Sequence, residues 1–336
     1  MTLIDHTVND IYRSMLLSLQ RACPARDRER LAQVFAEIVN RHIANVEPAR
    51  LPEWVGTAAE SLASEGCCRI ASLLTPEQAA AVRAHFEARP CYNGHVPPQS
   101  DKVPRRRGEG AEAFHYGSYE LTDIVDAPHL IELANSPELL SVAGRYLGCT
   151  PTLYSMNAWW SFAGHAEGAK YAQSFHRDLD DFRFCTVFIY LTDVTETTGP
   201  HVFVRRTHRE ATALSHLEGP GRANLTQFSP ADQAAIRGGA LFESDGYGSD
   251  RVVEILFGDL VTMVVGPAGT GLLADTTGFH KGHPPRDADR LVAWFRYGLY
   301  TNLGPQSSPV PWGTVAHRVP PTDRLRYVNR QILRED

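Results

Sequence analysis

Beyond residue 150 the chain breaks into short apolar segments at 152–163, 183–191, 201–205, 252–257, 260–266, 270–274 and 290–300. They are rich in β-branched and aromatic residues and are punctuated by Gly, Pro or Asp, which reads as strands. Each such strand has an apolar face to bury. So many in one half of a chain point to a barrel or a double-sheet jelly roll. With 336 residues and 43% hydrophobic content, the chain can support one large core, or a core domain plus a helical extension.

The first half reads differently. Residues 8–46 carry apolar side chains at helical spacing: Ile11, Met15, Leu16 and Leu19, then Leu31, Val34, Phe35 and Ile38. Pro24 divides this stretch into two helices, which pack on the barrel or form a homodimer contact. Thr75-Pro76-Glu77-Gln78 combines an N-cap, a proline at the first helical position and a capping-box Gln, and predicts a helix to about Ala88. Ser136-Pro137-Glu138-Leu139 predicts another to Leu147, stopped by Gly148. The resulting division is a helical extension over 1–55, a strand-built domain over 56–310 and a C-terminal tail over 311–336. Within the domain, 210–250 is polar and Gly-rich and reads as an inserted lid or substrate wall. The 91–120 segment, with its Arg105-Arg106-Arg107 run, has similar character.

A net charge of −6 and a pI near 6.2 provide no basic field for nucleic acid or an anionic membrane. No apolar run reaches the roughly 20 residues of a membrane span. The first twenty residues have early acids and no basic n-region, so they do not read as a signal peptide. The expectation is a soluble cytoplasmic protein with a small-molecule partner. The six cysteines form no CxxC pair and read as reduced thiols, with Cys185 in the core.

Phe175-His176-Arg177-Asp178 contains the most informative pair. Residues two apart on a strand share a face, so one imidazole and one carboxylate can reach one metal from one side. Two histidines with one carboxylate leave three adjacent open positions, which suits non-haem Fe(II) and O2. The pair is cheap among 14 histidines, because His165/Glu167, His208/Glu210 and His216/Glu218 repeat the spacing. What singles out His176 is its surroundings. A strong strand, Cys185–Leu191, follows it and ends at the turn Thr197-Thr198-Gly199-Pro200. His280 arrives from a distant strand pair, with His283 as its rival. Arg290 opens the last strong strand, and its planar fork can grip a carboxylate.

At these residues the chain resembles the phytanoyl-CoA dioxygenase family of Fe(II)/2-oxoglutarate oxygenases. The likeness runs from about 60 to 300. It includes Glu65–Leu74, the FHRD motif, LTDVTETTGP and DTTGFHKGHPPRDADRL. The resemblance implies a double-stranded β-helix, a cupin-like jelly roll with flanking helices. It implies His176, Asp178 and His280 as iron ligands and Arg290 as the clamp on the distal carboxylate of 2-oxoglutarate. It also implies a cosubstrate pocket lined from the strands on either side of the HxD motif, here Met156, Asn157, Thr186, Phe188 or Tyr190. Strand parity puts the last three on one face without saying which. Two features bear on the comparison. Where the family shows Gly-Ser-His after the Gly-Pro turn, this chain has Arg206-Thr207-His208. Asp178 stands where halogenating members have a small residue, which favours hydroxylation.

The expected activity is therefore oxidation of an unactivated C–H bond in a biosynthetic small molecule by O2, with 2-oxoglutarate yielding succinate and CO2. Desaturation and ring closure use the same ligands. The competing readings are a metal-dependent cupin-like enzyme that does not use 2-oxoglutarate and a binding protein that has lost its chemistry. Trp159, Trp160, Phe162 and Tyr171 either wall the pocket or belong to the core, and His115-Tyr116 borders the pocket.

Overall fold

The computed structural model describes residues 23–94, 103–165, 171–242, 250–299 and 308–336. Helix α1 (Ala25–His42) follows Pro24 as its punctuation predicts; the helix expected before Pro24 lies outside the described residues. Next come α2 (Glu53–Glu65), β1 (Cys67–Ile70) and α3 (Pro76–Glu87). The capping box of α3 is formed: Gln78 N donates to Thr75 Oγ1 at 3.2 Å and Thr75 N to Gln78 Oε1 at 2.9 Å. Short β2 (Tyr92–Asn93) and β3 (Tyr116–Ser118) lead to α4 (Leu121–Asp126), α5 (Leu130–Ala134) and α6 (Pro137–Leu147). Ser136 caps α6, and Gly148 ends it with φ 79°, a left-handed conformation that glycine adopts at low cost.

Strands β4 (Thr152–Ser161), β5 (Phe184–Tyr190), β6 (His201–Val204), β7 (Val261–Val264), β8 (Gly271–Ala274), β9 (His280–Gly282) and β10 (Arg290–Gly298) build the two sheets. The large sheet runs β1-β8-β5-β10-β4-β3-β2 and the small one β7-β6-β9, all antiparallel. A further antiparallel bridge joins His176 to His280 and adds the HxD segment to the edge of the small sheet. This is the expected mainly β jelly roll with flanking helices.

Side-chain parity divides the apolar residues into three clusters. On β5, Cys185, Val187 and Ile189 face the helices, with Met156, Ala158 and Trp160 from β4 and Leu291, Ala293 and Phe295 from β10. The opposite face presents Phe188, Tyr190, Trp159, Val292 and Trp294 between the sheets, where they meet Phe203 and Val264 of the small sheet. Helix α1 joins the helix-facing core through Ala32, Ala36 and Val39. So do residues beyond 311, through Trp312, Val315, Val319, Val328, Ile332 and Leu333, which fold through α11 (Asp323–Asn329) rather than trail away.

The 210–250 insertion is helical in its described part. It forms α7 (Glu210–Glu218), α8 (Arg222–Leu225) and α9 (Pro230–Arg237), and is followed by α10 (Asp250–Phe257). The strand expected at 252–257 is therefore a helix. Its β-branched residues suggested a strand, but Val253, Leu256 and Phe257 are buried at i, i+3 and i+4 on one helical face. These helices pack on Phe175, Val202, Val204 and Phe279 and cap the outer surface of the small sheet.

Candidate metal centre

Burial alternates along the HxD segment. Phe175 and Arg177 are buried on the side of the helical cap, and His176 and Asp178 face the space between the sheets. Arg177 donates to the carbonyls of Thr277 and Phe242 and lies over the Phe242 and Phe279 rings. The backbone hydrogen bonds His176 N to His280 O and His280 N to His176 O, both 3.0 Å, place the two imidazoles side by side, with centroids 4.2 Å apart. Asp178 N donates to Thr276 O at 2.8 Å and sets the carboxylate opposite them. One ligand atom from each of His176, Asp178 and His280 lies within 4.8 Å of the others.

Both rings are oriented by their second nitrogen. His176 Nδ1 lies 2.9 Å from Ser174 O, and His280 Nδ1 lies 3.0 Å from Gly278 O. A carbonyl only accepts, so each Nδ1 carries the proton and each Nε2 keeps its lone pair. Those Nε2 atoms lie 3.9 Å and 3.6 Å from the Asp178 carboxylate oxygens. Two neutral imidazoles and a carboxylate aimed at one point are the donor set of a facial-triad iron site.

The electrostatics keep Asp178 and His280 in their metal-binding protonation states. Burial pushes the Asp178 carboxyl up, but Arg296, His280 and His176 outweigh it and hold the group well below the usual carboxylate range. Burial, with His176 beside it, pushes His280 down to about 3. Arg296 donates to Asp178 Oδ2 at 3.0 Å and also pairs with Asp180, which accepts from Tyr154 Oη at 3.0 Å.

The ligand cluster opens into a cavity of about 240 Å³ that also holds Arg290, together with Tyr116, Trp159, Phe188, Val292 and Trp294. Arg290 is 7% exposed and donates to Ser161 Oγ at 3.0 Å and to the Gly199 carbonyl. No carboxylate pairs with it among the described residues, and burial lowers its pKa. Phe188 lines the cavity; Thr186 shares its face and sits 3.5 Å from Thr276 Oγ1. Asn157 also faces inward but donates to Ser155 Oγ at 2.6 Å and does not line the cavity. Met156 has the opposite parity and is buried among the helix-facing side chains, so it is turned away from the cavity.

Trp159 walls the cavity, whereas Trp160 and Phe162 belong to the helix-facing core; the Tyr171 side chain lies outside the described residues. Tyr116 borders the cavity and His115 contacts Gln173 at 2.8 Å. The rival histidines sit elsewhere: His165 at Phe114 O, His208 at Ala63 O, His216 beside Asp259 and His283 at Pro284 O. Arg107 of the arginine run pairs with Asp289 and Glu87 and lies over Trp160, while Arg105 and Arg106 donate to the carbonyls of Gly110 and Ala88. None of the described residues of 210–242 lines this cavity; their helices pack on the outer surface of the small sheet.

Sequence reasoning passed over Arg296, Thr276 and His201. Arg296 and His201 were hidden because the inner face of β10 and β6 was unknown. Thr276 lay in the quoted DTTGFH stretch but bears on the site only through its contact with Asp178.

Fold and site together define a double-sheet jelly-roll protein with a two-histidine, one-carboxylate cluster beside a buried arginine. Residues 62–263, more than half of the chain, match the phytanoyl-CoA dioxygenase family, and the chain belongs to that family. No curated protein matches it in sequence. Among solved structures it is similar to EctD from S. alaskensis in its apo form, with 13% identity, coverage of 79% of this chain and 86% of that one, and a TM-score of 0.48. It is also similar to HygX from Streptomyces hygroscopicus with nickel and 2-oxoglutarate bound, with 15% identity, coverage of 78% and 91%, and a TM-score of 0.44. A third is the non-haem α-ketoglutarate-dependent epimerase SnoN of nogalamycin biosynthesis, with 14% identity, coverage of 74% and 81%, and a TM-score of 0.46. The assignment rests on the family match and not on these distant likenesses.

Proposed function

We propose that this chain is an Fe(II)- and 2-oxoglutarate-dependent dioxygenase that hydroxylates an unactivated C–H bond of a small biosynthetic substrate, releasing succinate and CO2. One observation carries the reading: a single cavity holds the His176–Asp178–His280 cluster and the buried guanidinium of Arg290. A buried cation without a carboxylate is costly, and an anionic ligand supplies its partner. In this reading His176, Asp178 and His280 hold the iron, and Arg290 grips the distal carboxylate of 2-oxoglutarate. Iron, when bound, supplies the activation of O2 coupled to oxidation of the cosubstrate.

The protein's own part is placement and shielding. Trp159, Phe188, Val292 and Trp294 keep water from the reacting face. Asp178 occupies the position that a halide would need, which favours hydroxylation. The cupin-like alternative has no use for a buried arginine in the same cavity.

The test is anaerobic calorimetry followed by turnover. The protein loaded with Fe(II) should bind 2-oxoglutarate, and the chelated protein should not. Adding O2 and a competent substrate should form succinate. Arg290→Ala should weaken cosubstrate binding at least tenfold, the loss of a charge-assisted hydrogen bond of roughly 1.5–3 kcal/mol. Unchanged binding in that variant would remove Arg290 from its assigned role, and wild-type protein that never binds 2-oxoglutarate would end the proposal.

A further inference from the structure

Four buried polar atoms without any hydrogen bond belong to side chains that line the cavity just described: His201 Nε2, Arg290 Nε, Trp294 Nε1 and Arg296 Nε. Folded proteins leave few buried polar atoms unpaired, and several around one cavity mark a place where a polar ligand completes them. His201 is the most informative of the four. It is 6% exposed, and its Nε2 is buried without a hydrogen bond among the described residues.

The ring is nonetheless held firmly. His201 N donates to Tyr190 Oη at 3.0 Å, and the residue pairs with Gly282 in β9 and Val264 in β7. Its imidazole lies parallel to that of His280 at 5.5 Å, and the Phe188 ring packs on it at 4.4 Å. It shares one cavity with the ligand cluster and with Arg290. It is not part of the ligand cluster itself. A placed imidazole with a buried, unpaired Nε2, in the cavity that holds the metal ligands and the anion clamp, takes a hydrogen-bond partner from a bound molecule.

We propose that His201 is a cosubstrate-binding residue, its ring N–H donating to a carboxylate oxygen of 2-oxoglutarate. The inference rests on the 2-oxoglutarate reading above, and its test separates the two. Mn(II)-loaded protein is titrated anaerobically with 2-oxoglutarate by calorimetry, using wild type, His201→Phe and His201→Asn, and each is also titrated with Mn(II) alone. His201→Phe keeps the ring and its stacking but has no hydrogen-bonding atom. Its 2-oxoglutarate Kd should rise about tenfold, the worth of one hydrogen bond. His201→Asn, which retains a donor, should recover most of the loss, and Mn(II) affinity should be unchanged in both.

Wild type that fails to bind 2-oxoglutarate with Mn(II) refutes the dioxygenase reading. Wild type that binds while His201→Phe binds equally well refutes the role of His201. Loss of Mn(II) affinity in His201→Phe also overturns it, since the residue then supports the metal ligands and not the cosubstrate. If His201→Phe does not fold, as judged by circular dichroism, His201→Leu takes its place in the same comparison.

Discussion

Asp178 is held by protein groups before any metal arrives. Arg296 and Thr276 fix its carboxylate, and Arg296 is itself tied to Asp180 and Tyr154. Partners that orient a ligand typically contribute 10–100-fold to metal affinity. Arg296→Met should therefore lower Fe(II) or Mn(II) affinity by roughly that factor, measured by competition with a chelator, while the histidines stay in place. The neighbouring His280 gives a pH signature. Its folded-state pKa is about 3, against roughly 6.5 when unfolded. Below 6.5 the unfolded chain takes up a proton that the folded one refuses, so stability falls on acidification across that window. The limiting slope is about 1.4 kcal/mol per pH unit, so metal-free protein should lose about 2 kcal/mol between pH 7 and pH 5 from this group. Urea denaturation at the two pH values measures it, and His280→Gln should flatten the slope. Asp178, with its lowered pKa, adds a loss of the same sign only at lower pH.

Elements explain why some local rules held and one did not. The caps of α3 and α6 are written in adjacent residues, so they were legible. After β6, Arg206 stands where the family has glycine. The structure keeps the turn: Arg206 takes φ 66°, in the left-handed region that favours glycine, and pairs with Glu65 at 2.7 Å. Thr207 Oγ1 then donates to Val204 O and accepts from Phe279 N at 2.9 Å, which ties the turn to the residue before His280. The last six residues of helix α10, 252–257, read as a strand because they show β-branched content but too little length for periodicity to decide. Its role as the base of the cap is testable. Leu256 is fully buried, and Leu256→Ala should cost roughly 2–5 kcal/mol in a denaturant titration. A cost within about 0.5 kcal/mol, the range of surface substitutions, would mean that α10 does not anchor the cap.

At the scale of the whole molecule, the metal cluster stitches together distant parts of the chain. His176 and Asp178 come from an edge segment after β4, His280 from β9, and Arg290 and Arg296 from β10 in the opposite sheet. A ligand that binds only this arrangement stabilises the fold by about 2.7 kcal/mol at a hundredfold excess over Kd. Thermal denaturation should therefore shift upward with Mn(II) and shift back with chelator, and Asp178→Ala should abolish the difference. By itself the sequence determined a barrel or double-sheet jelly roll, the capped starts of α3 and α6 and the His176/Asp178 pair, because strand pattern, caps and HxD spacing are properties of neighbouring residues; the jelly roll and the choice of His280 over His283 came with the family resemblance. It could not determine which face of β4, β5 and β10 looks between the sheets, since parity fixes alternation but not direction. Only the packing of the sheets against each other and against the helices made that choice. It put Phe188, Trp294, Arg296 and His201 around the cavity and turned Met156 into the core behind it.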